Sequence, residues 1–194
     1  MPKITNVELS GLERSIKTAK YPKTVDIESL NTELTKGIQA CSSCGTGEGH
    51  DNFLKGIVVH FDMTFSNKAW VEAERYHFLE FVSSQSTMHK AANFDLWLQF
   101  NDYVDPIIAL RVEEIRDEYI TKKTPENFLR LVYNIPAGFE LTAGMVTNYQ
   151  QLKTIYQQRR HHRLPDWQVF CDWIETLPMF MELTQKNKEG NYEN

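Results

Sequence analysis

One short segment of the chain carries more hydrogen-bonding groups than a connecting loop requires. It runs from Ser83 to Lys90 and contains four hydroxyl groups, an amide, an imidazole and an ammonium group. Hydroxyl and amide groups both donate and accept hydrogen bonds, and the lysine supplies the positive charge that attracts a phosphate. The segment is therefore a candidate for binding a phosphate or the edge of a base. A solvated polar loop is the alternative interpretation.

A second candidate is a basic run in an acidic protein. The chain has a formal net charge of −5, yet residues 159–163 are all arginine or histidine. Because residues three and four apart share one side of a helix, Arg159 falls on the same side as Ile155 and Tyr156 and should point inward. A buried arginine requires an anionic partner. Two interpretations stay open: Arg159 binds the phosphate of a nucleotide, or it pairs with a buried carboxylate.

A cysteine pair and a glycine-rich run precede the middle of the chain. Cys41 and Cys44 have the spacing of half a zinc site, and His50 would be a third ligand. Structural zinc usually has four protein ligands and no second cysteine pair is present, so we expect ordinary thiols and no metal. The glycines before His50 and Asp51 would let the backbone approach a ligand closely. A flexible turn explains the same run equally well.

Composition and charge exclude several classes of protein. With 41% hydrophobic and 24% charged residues the 194-residue chain is typical of a globular protein, and a pI of about 5.7 argues against binding duplex nucleic acid. No apolar run approaches the ~20 residues of a membrane span, and no apolar signal region follows the N-terminus. We therefore expect a cytoplasmic protein with no membrane partner. A single domain should cover residues 1–184, followed by a disordered tail over residues 185–194.

Apolar spacing and capping residues predict the elements that would position these groups. The clearest is a half-buried strand in which four apolar residues alternate with more polar ones: Val59, Phe61, Met63 and Phe65. Seven helices are predicted, with these bounds and caps: Gly11 to about Lys20 after Ser10, residues 28–39, a cap at Asn67 and a helix to about Val82, a helix from Pro106, a helix from Pro125 after Thr124, Asn148 to about Arg160 with a Thr147–Gln150 capping box, and Pro165 to Pro178. The chain should be mostly helical with a small sheet.

The later helices are expected to turn apolar residues inward. For the helix from Pro106 these are Ile107, Leu110, Ile115 and Tyr119; for the next they are Phe128, Leu131 and Val132; for the last they are Phe170, Trp173, Ile174 and Leu177. Cys171 falls on the apolar last helix and should be a core residue.

These stretches, in this order, resemble the flavin-dependent thymidylate synthases. Ile135-Pro136, then Thr147-Asn148, Leu152 and Arg159 look like that family's Leu-Pro, Thr-x-Asn-x-Arg-x-Leu and trailing Leu-Arg pattern, with Gln150 where the family has an arginine. Gly49-His50 looks like its Gly-His segment. Arg75, Ser84 and Ser86 occupy the region of its signature, although Arg-His-Arg and Ser-x-Arg themselves are absent. The resemblance covers roughly residues 50–174.

The resemblance implies an α/β (α+β) fold with a small mixed or antiparallel sheet flanked by several helices, and a homotetramer whose sites draw on several subunits. It implies FAD as cofactor, NADPH and methylenetetrahydrofolate as cosubstrates, and a pyrimidine nucleotide as ligand. Arg159 would be the catalytic residue, and the substrate-binding residues would be Arg75, Ser84, Gln85, Ser86, Lys90 and Arg159. The cofactor-binding residues would be His50, His77, His89 and Asn148; the three histidines are also suited to proton transfer near neutral pH.

Three hypotheses follow. The first is a divergent enzyme that binds a dUMP-like pyrimidine deoxynucleotide and methylates it at C5. The second is a non-catalytic protein that senses or sequesters a nucleotide on the same scaffold, which the missing Arg-His-Arg favours. The third is an interaction protein whose partner surface contains Trp97, Phe100 and Tyr103, although an oligomer interface accounts for the same residues.

Overall fold

The computed structural model describes residues 1–45 and 47–185. Four strands form one sheet: β1 (Lys3–Ser10), β2 (Val58–Ser66), β3 (Glu80–Ser84) and β4 (Glu140–Asn148). Their order is β1-β2-β4-β3, and every neighbouring pair is antiparallel. The predicted fold class is confirmed, and the sheet is antiparallel rather than mixed. The predicted tail, apart from Gln185, lies outside the described residues.

Ten α-helices occur in the described part of the chain: α1 (Leu12–Thr18), α2 (Lys36–Ser42), α3 (Asn67–Ala73), α4 (Thr87–Lys90), α5 (Leu96–Gln99), α6 (Pro106–Thr121), α7 (Pro125–Tyr133), α8 (Tyr149–Arg159), α9 (Pro165–Glu175) and α10 (Phe180–Thr184). None of these helices is long and apolar enough to cross a membrane.

The main core lies on one face of the sheet. The four alternating residues of β2 are all buried, as the sequence predicted, because a strand turns successive side chains to opposite faces. Buried residues of α8 and α9 pack on the same core: Leu152, Ile155, Phe170 and Ile174. A smaller core forms between α6, α7 and the residues before β4, and it contains Leu96, Val112, Ile115, Leu131 and Phe139.

The N-terminal predictions are wrong in two places. Ser10 ends β1 and does not cap a helix; α1 instead follows Gly11, whose φ of +80° and close approach to Gly56 exclude a Cβ. Of the helix predicted over residues 28–39, only residues 36–39 are helical, as the start of α2. Asp26 accepts a hydrogen bond from the backbone of Glu28, and such local bonds compete with helix formation.

The helix predicted from Asn67 to about Val82 is also wrong after Ala73. Ser66, not Asn67, caps α3, and the chain turns at residues 74–79 into β3. Phe78 and Phe81 of this stretch are exposed. Pairing of β3 with the distant β4 overrides the local helical spacing, because the backbone bonds of the sheet are satisfied only by long-range partners.

The helices from Pro106, Pro125, Asn148 and Pro165 are confirmed as elements. In α6, however, the predicted inward residues Ile107 and Leu110 are exposed, and the buried stripe consists of Ala109, Val112 and Ile115. At the start of α8 the cap is Asn148, whose side-chain oxygen accepts from the backbone N–H of Gln151. The Thr147–Gln150 capping box is therefore absent.

The phenol of Tyr149 allows a test of the packing between α8 and α10. Its hydroxyl donates to the Pro178 carbonyl at 2.7 Å, and burial, with a contribution from Glu182, raises the pKa of Tyr149 above its ordinary value of 10. The folded protein therefore holds the phenol proton more tightly than the unfolded chain does. The contribution of this group to stability is complete below pH ~10 and is lost as the pH rises further.

We expect Tyr149→Phe to lose about 1 kcal/mol at pH 7 through the missing hydrogen bond. The same variant should show a shallower loss of stability between pH 10 and 11.5 than the unmodified protein. Urea unfolding at each pH measures both effects. Tyr133→Phe, at a residue that is 82% exposed, is the control and should match the unmodified chain throughout. Parallel pH profiles for all three proteins would contradict the prediction.

Candidate functional site

Arg159, at the end of α8, reaches into a cluster of polar and aromatic side chains. Its Nη1 donates to Glu72 Oε2 at 3.0 Å, and its Nε donates to the Tyr76 hydroxyl at 2.8 Å. Its guanidinium carbon lies 4.8 Å from the ring centre of Trp167, a cation–π distance. Of the two interpretations that the sequence left open, the structure shows the pairing with a carboxylate.

Glu72 is the centre of this cluster, and we call the group the Glu72 cluster: Glu72, Tyr76, Arg159, His162 and Trp167. Glu72 Oε2 also accepts from Trp167 Nε1 at 3.1 Å and lies 3.3 Å from His162 Nε2, while Oε1 lies 3.5 Å from Lys68 Nζ. Burial opposes ionisation. The Trp167 hydrogen bond and the charges of His162 and Arg159 outweigh it and hold the pKa of Glu72 below its ordinary 4.5. Glu72 is therefore an anion at neutral pH.

Glu72 and Tyr76 were not among the residues that the sequence pattern indicated. The available signal was their spacing: Lys68, Glu72 and Tyr76 succeed one another at intervals of four, which places them along one side of a helix. That spacing does not predict the contact with Arg159, which is 87 residues away from Glu72 in sequence.

The other cations of the basic run have different positions. Arg160 forms ion pairs with Asp172 and Glu175 of α9, at 2.8 and 2.9 Å. Arg163 is exposed and lines a cavity of about 510 Å³ together with Lys68, Tyr103 and Asp166. The run therefore divides between a contact of α8 with α9 and one wall of this cavity.

A second buried ion pair joins α8 to residues on both sides of the glycine-rich run. Lys153 is 1% exposed, and its Nζ donates to Asp51 Oδ2 at 2.7 Å and to the carbonyls of Ser42 and Cys44 at 2.8 and 2.7 Å. All three ammonium protons thus have acceptors. Gln150 donates to the other Asp51 oxygen at 2.8 Å. Asp51, which follows the glycine-rich run, serves here as the internal partner of α8.

The cysteines are free thiols in the described structure. Cys171 is fully buried, as predicted, and burial raises the pKa of its thiol to about 11. No group of three histidine, cysteine or acidic residues is arranged to hold a metal ion within residues 1–45 and 47–185.

The Ser83–Lys90 segment follows one end of the sheet. Ser84, the last residue of β3, pairs with Ala143 of β4. Gln85 continues the pairing: its backbone N–H donates to the Thr142 carbonyl, and its side-chain oxygen accepts from the Thr142 N–H, both at 2.9 Å. Ser86 precedes α4, which carries His89 and Lys90 as exposed residues. Gln85 thus has a structural role, and the hydroxyl of Ser84 and the ammonium of Lys90 face solvent.

The other predicted site residues lie toward the opposite end of the sheet. Asn148 ends β4, and exposed His50 precedes Asp51, which Gln150 contacts. Arg75 and His77 are exposed in the turn between α3 and β3. That turn contacts Arg159 through Tyr76, and its Phe78 carbonyl accepts from the Thr147 hydroxyl at 2.7 Å.

The predicted site is therefore divided within one copy of the chain. Gln85 is paired to Thr142, near the first end of β4, whereas Asn148 is its last residue. At about 3.3 Å per residue, these two positions on β4 are roughly 20 Å apart. Ser84, Ser86, His89 and Lys90 belong to one group, and His50, Arg75, His77 and Asn148 belong to the other.

Comparison with solved structures shows which fold this is. Two structures of the flavin-dependent thymidylate synthase ThyX from Helicobacter pylori, both with FAD and dUMP, superpose with TM-scores of 0.70 and 0.72 at 15% identity. The matches cover 93% and 94% of this chain and 96% of each of those chains. This chain has the fold of the flavin-dependent thymidylate synthases. The resemblance that the sequence motifs indicated is confirmed at the level of the fold.

A third structural neighbour is the UMP/dUMP methylase PolB from Streptomyces cacaoi, bound with 5-Br dUMP. It has a TM-score of 0.61 and 13% identity, and the match covers 95% of this chain and 91% of PolB. No protein-family model matches the sequence, and no curated protein is similar to it in sequence.

Because the fold is that of the flavin-dependent thymidylate synthases, we asked whether the residues of this chain could hold FAD. Of the four predicted flavin residues, His89 lies with the Ser83–Lys90 segment, away from the other three. The side-chain oxygen of Asn148 is engaged by the cap of α8, and the three histidines are exposed. These residues do not converge around one volume, so a single copy does not form a site that fits FAD.

Proposed function

We propose that this chain binds a pyrimidine deoxynucleotide of the dUMP type at a site completed by a second copy of the same chain. The observation that carries this proposal is the division of the candidate residues between the two ends of the sheet. A nucleoside monophosphate is shorter than the roughly 20 Å that separates those ends. A second copy would supply the Ser83–Lys90 segment to the group that contains Arg75 and Asn148, and the fold shared with the dUMP-bound proteins supports a nucleotide as the ligand.

Exposed apolar residues support the association of copies. The residues concerned lie on α5, α6 and the loop between them, namely Trp97, Leu98, Tyr103, Ile107, Ile108 and Leu110. Large apolar side chains exposed together in one part of the chain are typical of an interface between proteins. Phe100, which the sequence analysis grouped with Trp97 and Tyr103, instead packs on Phe139 of the smaller core. We propose a homotetramer in the cytoplasm.

In this proposal the two groups of residues have separate tasks. Ser84, Ser86 and Lys90 bind the phosphate, because hydroxyl donors and an ammonium group suit an oxyanion. Arg159 and Arg75 contact the nucleotide from the other copy. The reaction proposed for the bound nucleotide is methylation at C5, with FAD, NADPH and methylenetetrahydrofolate supplied as cofactor and cosubstrates.

A second function, sequestration of the nucleotide without turnover, is favoured by one specific observation. Arg159, the residue assigned to catalysis, is already paired with Glu72 and stacked on Trp167. A guanidinium held in this way is not free to act on a reacting ring, and the exposed flavin residues do not converge in one copy.

Calorimetry with dUMP tests the binding proposal. We expect Lys90→Met to weaken dUMP binding at least tenfold, because a charge-assisted phosphate contact is lost. Lys123→Met, another exposed lysine outside the candidate site, is the matched control and should bind as the unmodified protein does. Sedimentation should show a tetramer. A monomer, or equal dUMP affinity for both variants, would contradict a shared site.

Two further measurements separate the enzyme from the sequestering protein. The absorption spectrum after addition of FAD and desalting shows whether flavin is retained. Release of tritium from C5-labelled dUMP in the presence of FAD, NADPH and methylenetetrahydrofolate shows turnover. Binding of dUMP with no retained flavin and no tritium release would select sequestration.

A further inference from the structure

In the Glu72 cluster, the carboxylate of Glu72 occupies the position beside Arg159 where the proposed function places an anionic ligand. Arg159 Nη1 is 3.0 Å from Glu72 Oε2, and the two side chains are each 14% exposed. A carboxylate and a phosphate carry the same sign of charge and both seek the same guanidinium donors. Whatever anion approaches Arg159 must therefore compete with Glu72.

Arg159 itself has little freedom to move toward a ligand. Its Nε is bonded to the Tyr76 hydroxyl, which in turn donates to Gln158 at 2.9 Å. One face of the guanidinium is covered by the Trp167 ring. Since the arginine is held on these sides, the exchange has to occur by movement of the carboxylate rather than of the guanidinium.

Glu72 has cationic groups to which it can turn. Lys68, one helical turn earlier on α3, already faces Oε1 at 3.5 Å, and His162 Nε2 lies 3.3 Å from Oε2. If the Glu72 carboxylate were released from Arg159, it would remain paired with Lys68. It would also remain paired with His162 whenever the imidazole of His162 is protonated. Loss of the Arg159 contact thus does not leave an isolated charge, which would be prohibitive in a partly buried position.

We propose that Glu72 is a counter-anion built into the Arg159 site, and that it sets the affinity of this site for anionic ligands because a phosphate that binds Arg159 Nη1 has to displace it. This inference rests on the proposed function in naming dUMP as the ligand. Its distinguishing consequence is that removal of the negative charge at Glu72 strengthens binding, whereas removal of an ordinary contact residue weakens it.

The variant Glu72→Gln tests the proposal because it keeps the shape and an oxygen acceptor for Trp167 while removing the charge. We expect the dissociation constant for dUMP to fall at least tenfold, which corresponds to about 1.4 kcal/mol. Deoxyuridine, which lacks the phosphate, should bind both proteins equally. Glu74→Gln removes the same charge from an exposed residue two positions later and should change dUMP affinity less than twofold.

Three calorimetric results would overturn the inference: unchanged dUMP affinity in Glu72→Gln, weaker affinity in that variant, or an equal gain in Glu74→Gln. If the unmodified protein binds dUMP and Glu72→Gln binds it no better, only this inference fails. If none of the three proteins binds dUMP, the proposed function fails.

A measurement on the unmodified protein is independent of the nucleotide. Trp167 Nε1–H donates to Glu72, so its NMR resonance, assigned by comparison with Trp167→Phe, should shift when inorganic phosphate displaces the carboxylate. Half-saturation should occur at a lower phosphate concentration in Glu72→Gln. A resonance unaffected by phosphate in both proteins would overturn the inference whether or not dUMP binds.

Discussion

Replacement of Lys153 by methionine is expected to lower the free energy of unfolding by about 3–5 kcal/mol. The variant leaves the Asp51 carboxylate buried without its counter-charge, and it removes the donor for the carbonyls of Ser42 and Cys44. Since proteins are typically stable by only about 5–15 kcal/mol, this is a large part of the total. Urea unfolding monitored by fluorescence measures the change.

Two further variants establish that the buried charge is the cause. Lys55→Met removes an exposed lysine close in sequence to Asp51 and should change stability by less than about 0.5 kcal/mol. Combining Lys153→Met with Asp51→Asn removes both charges and should recover more than half of the loss, because no uncompensated ion remains. A double variant as unstable as Lys153→Met alone would show that the lost carbonyl contacts, not the charge, dominate.

Truncation of Phe65 to alanine should cost about 3–5 kcal/mol. Phe65 is fully buried in β2, and its ring lies 5.2 Å from Trp167, 5.5 Å from Trp70 and 6.0 Å from Phe170. The cost has two parts. The variant buries less apolar area on folding than the unmodified protein does, and the cavity left behind cannot close because three large rings surround it. Thermal and urea unfolding measure the loss.

The matched control is Phe78→Ala, which removes the same ring from a residue that is 61% exposed. We expect less than about 1 kcal/mol there, because little apolar surface is buried at this position. Phe65→Leu retains part of the volume and should fall between the two. Equal losses for Phe65→Ala and Phe78→Ala would mean that Phe78 is covered in the assembled protein, which sedimentation of the variant would reveal.

The predictions that held were those with local physical causes. The strand β2 follows from an apolar residue at every second position, α7 follows from the Thr124 cap and the proline after it, and α9 follows from proline in its first turn. The inward direction of Arg159 follows from its spacing to Ile155 on the same helix. Each of these signals lies within a few residues of the feature it predicts, so the sequence alone was sufficient.

The predictions that failed concern segments whose partners are distant. β1 and β4 were not predicted, and β3 was placed within a helix. The outer strand β1 pairs only with β2, 48 to 61 residues away in the register, and β3 is exposed at all five positions. Exposed edge strands carry little apolar alternation, so their pairing is decided by the backbone hydrogen bonds of the assembled sheet.

For the site, the sequence determined which residue types are present, and the tertiary structure decided what they meet. Composition and spacing singled out Arg159 and the Ser83–Lys90 segment, and the family resemblance added Asn148. Only the folded chain pairs Arg159 with Glu72 and Lys153 with Asp51, across 87 and 102 residues. A buried charge takes whichever partner the packing of α3, α8 and the glycine-rich loop brings within hydrogen-bond distance, and no local pattern in the sequence records that choice.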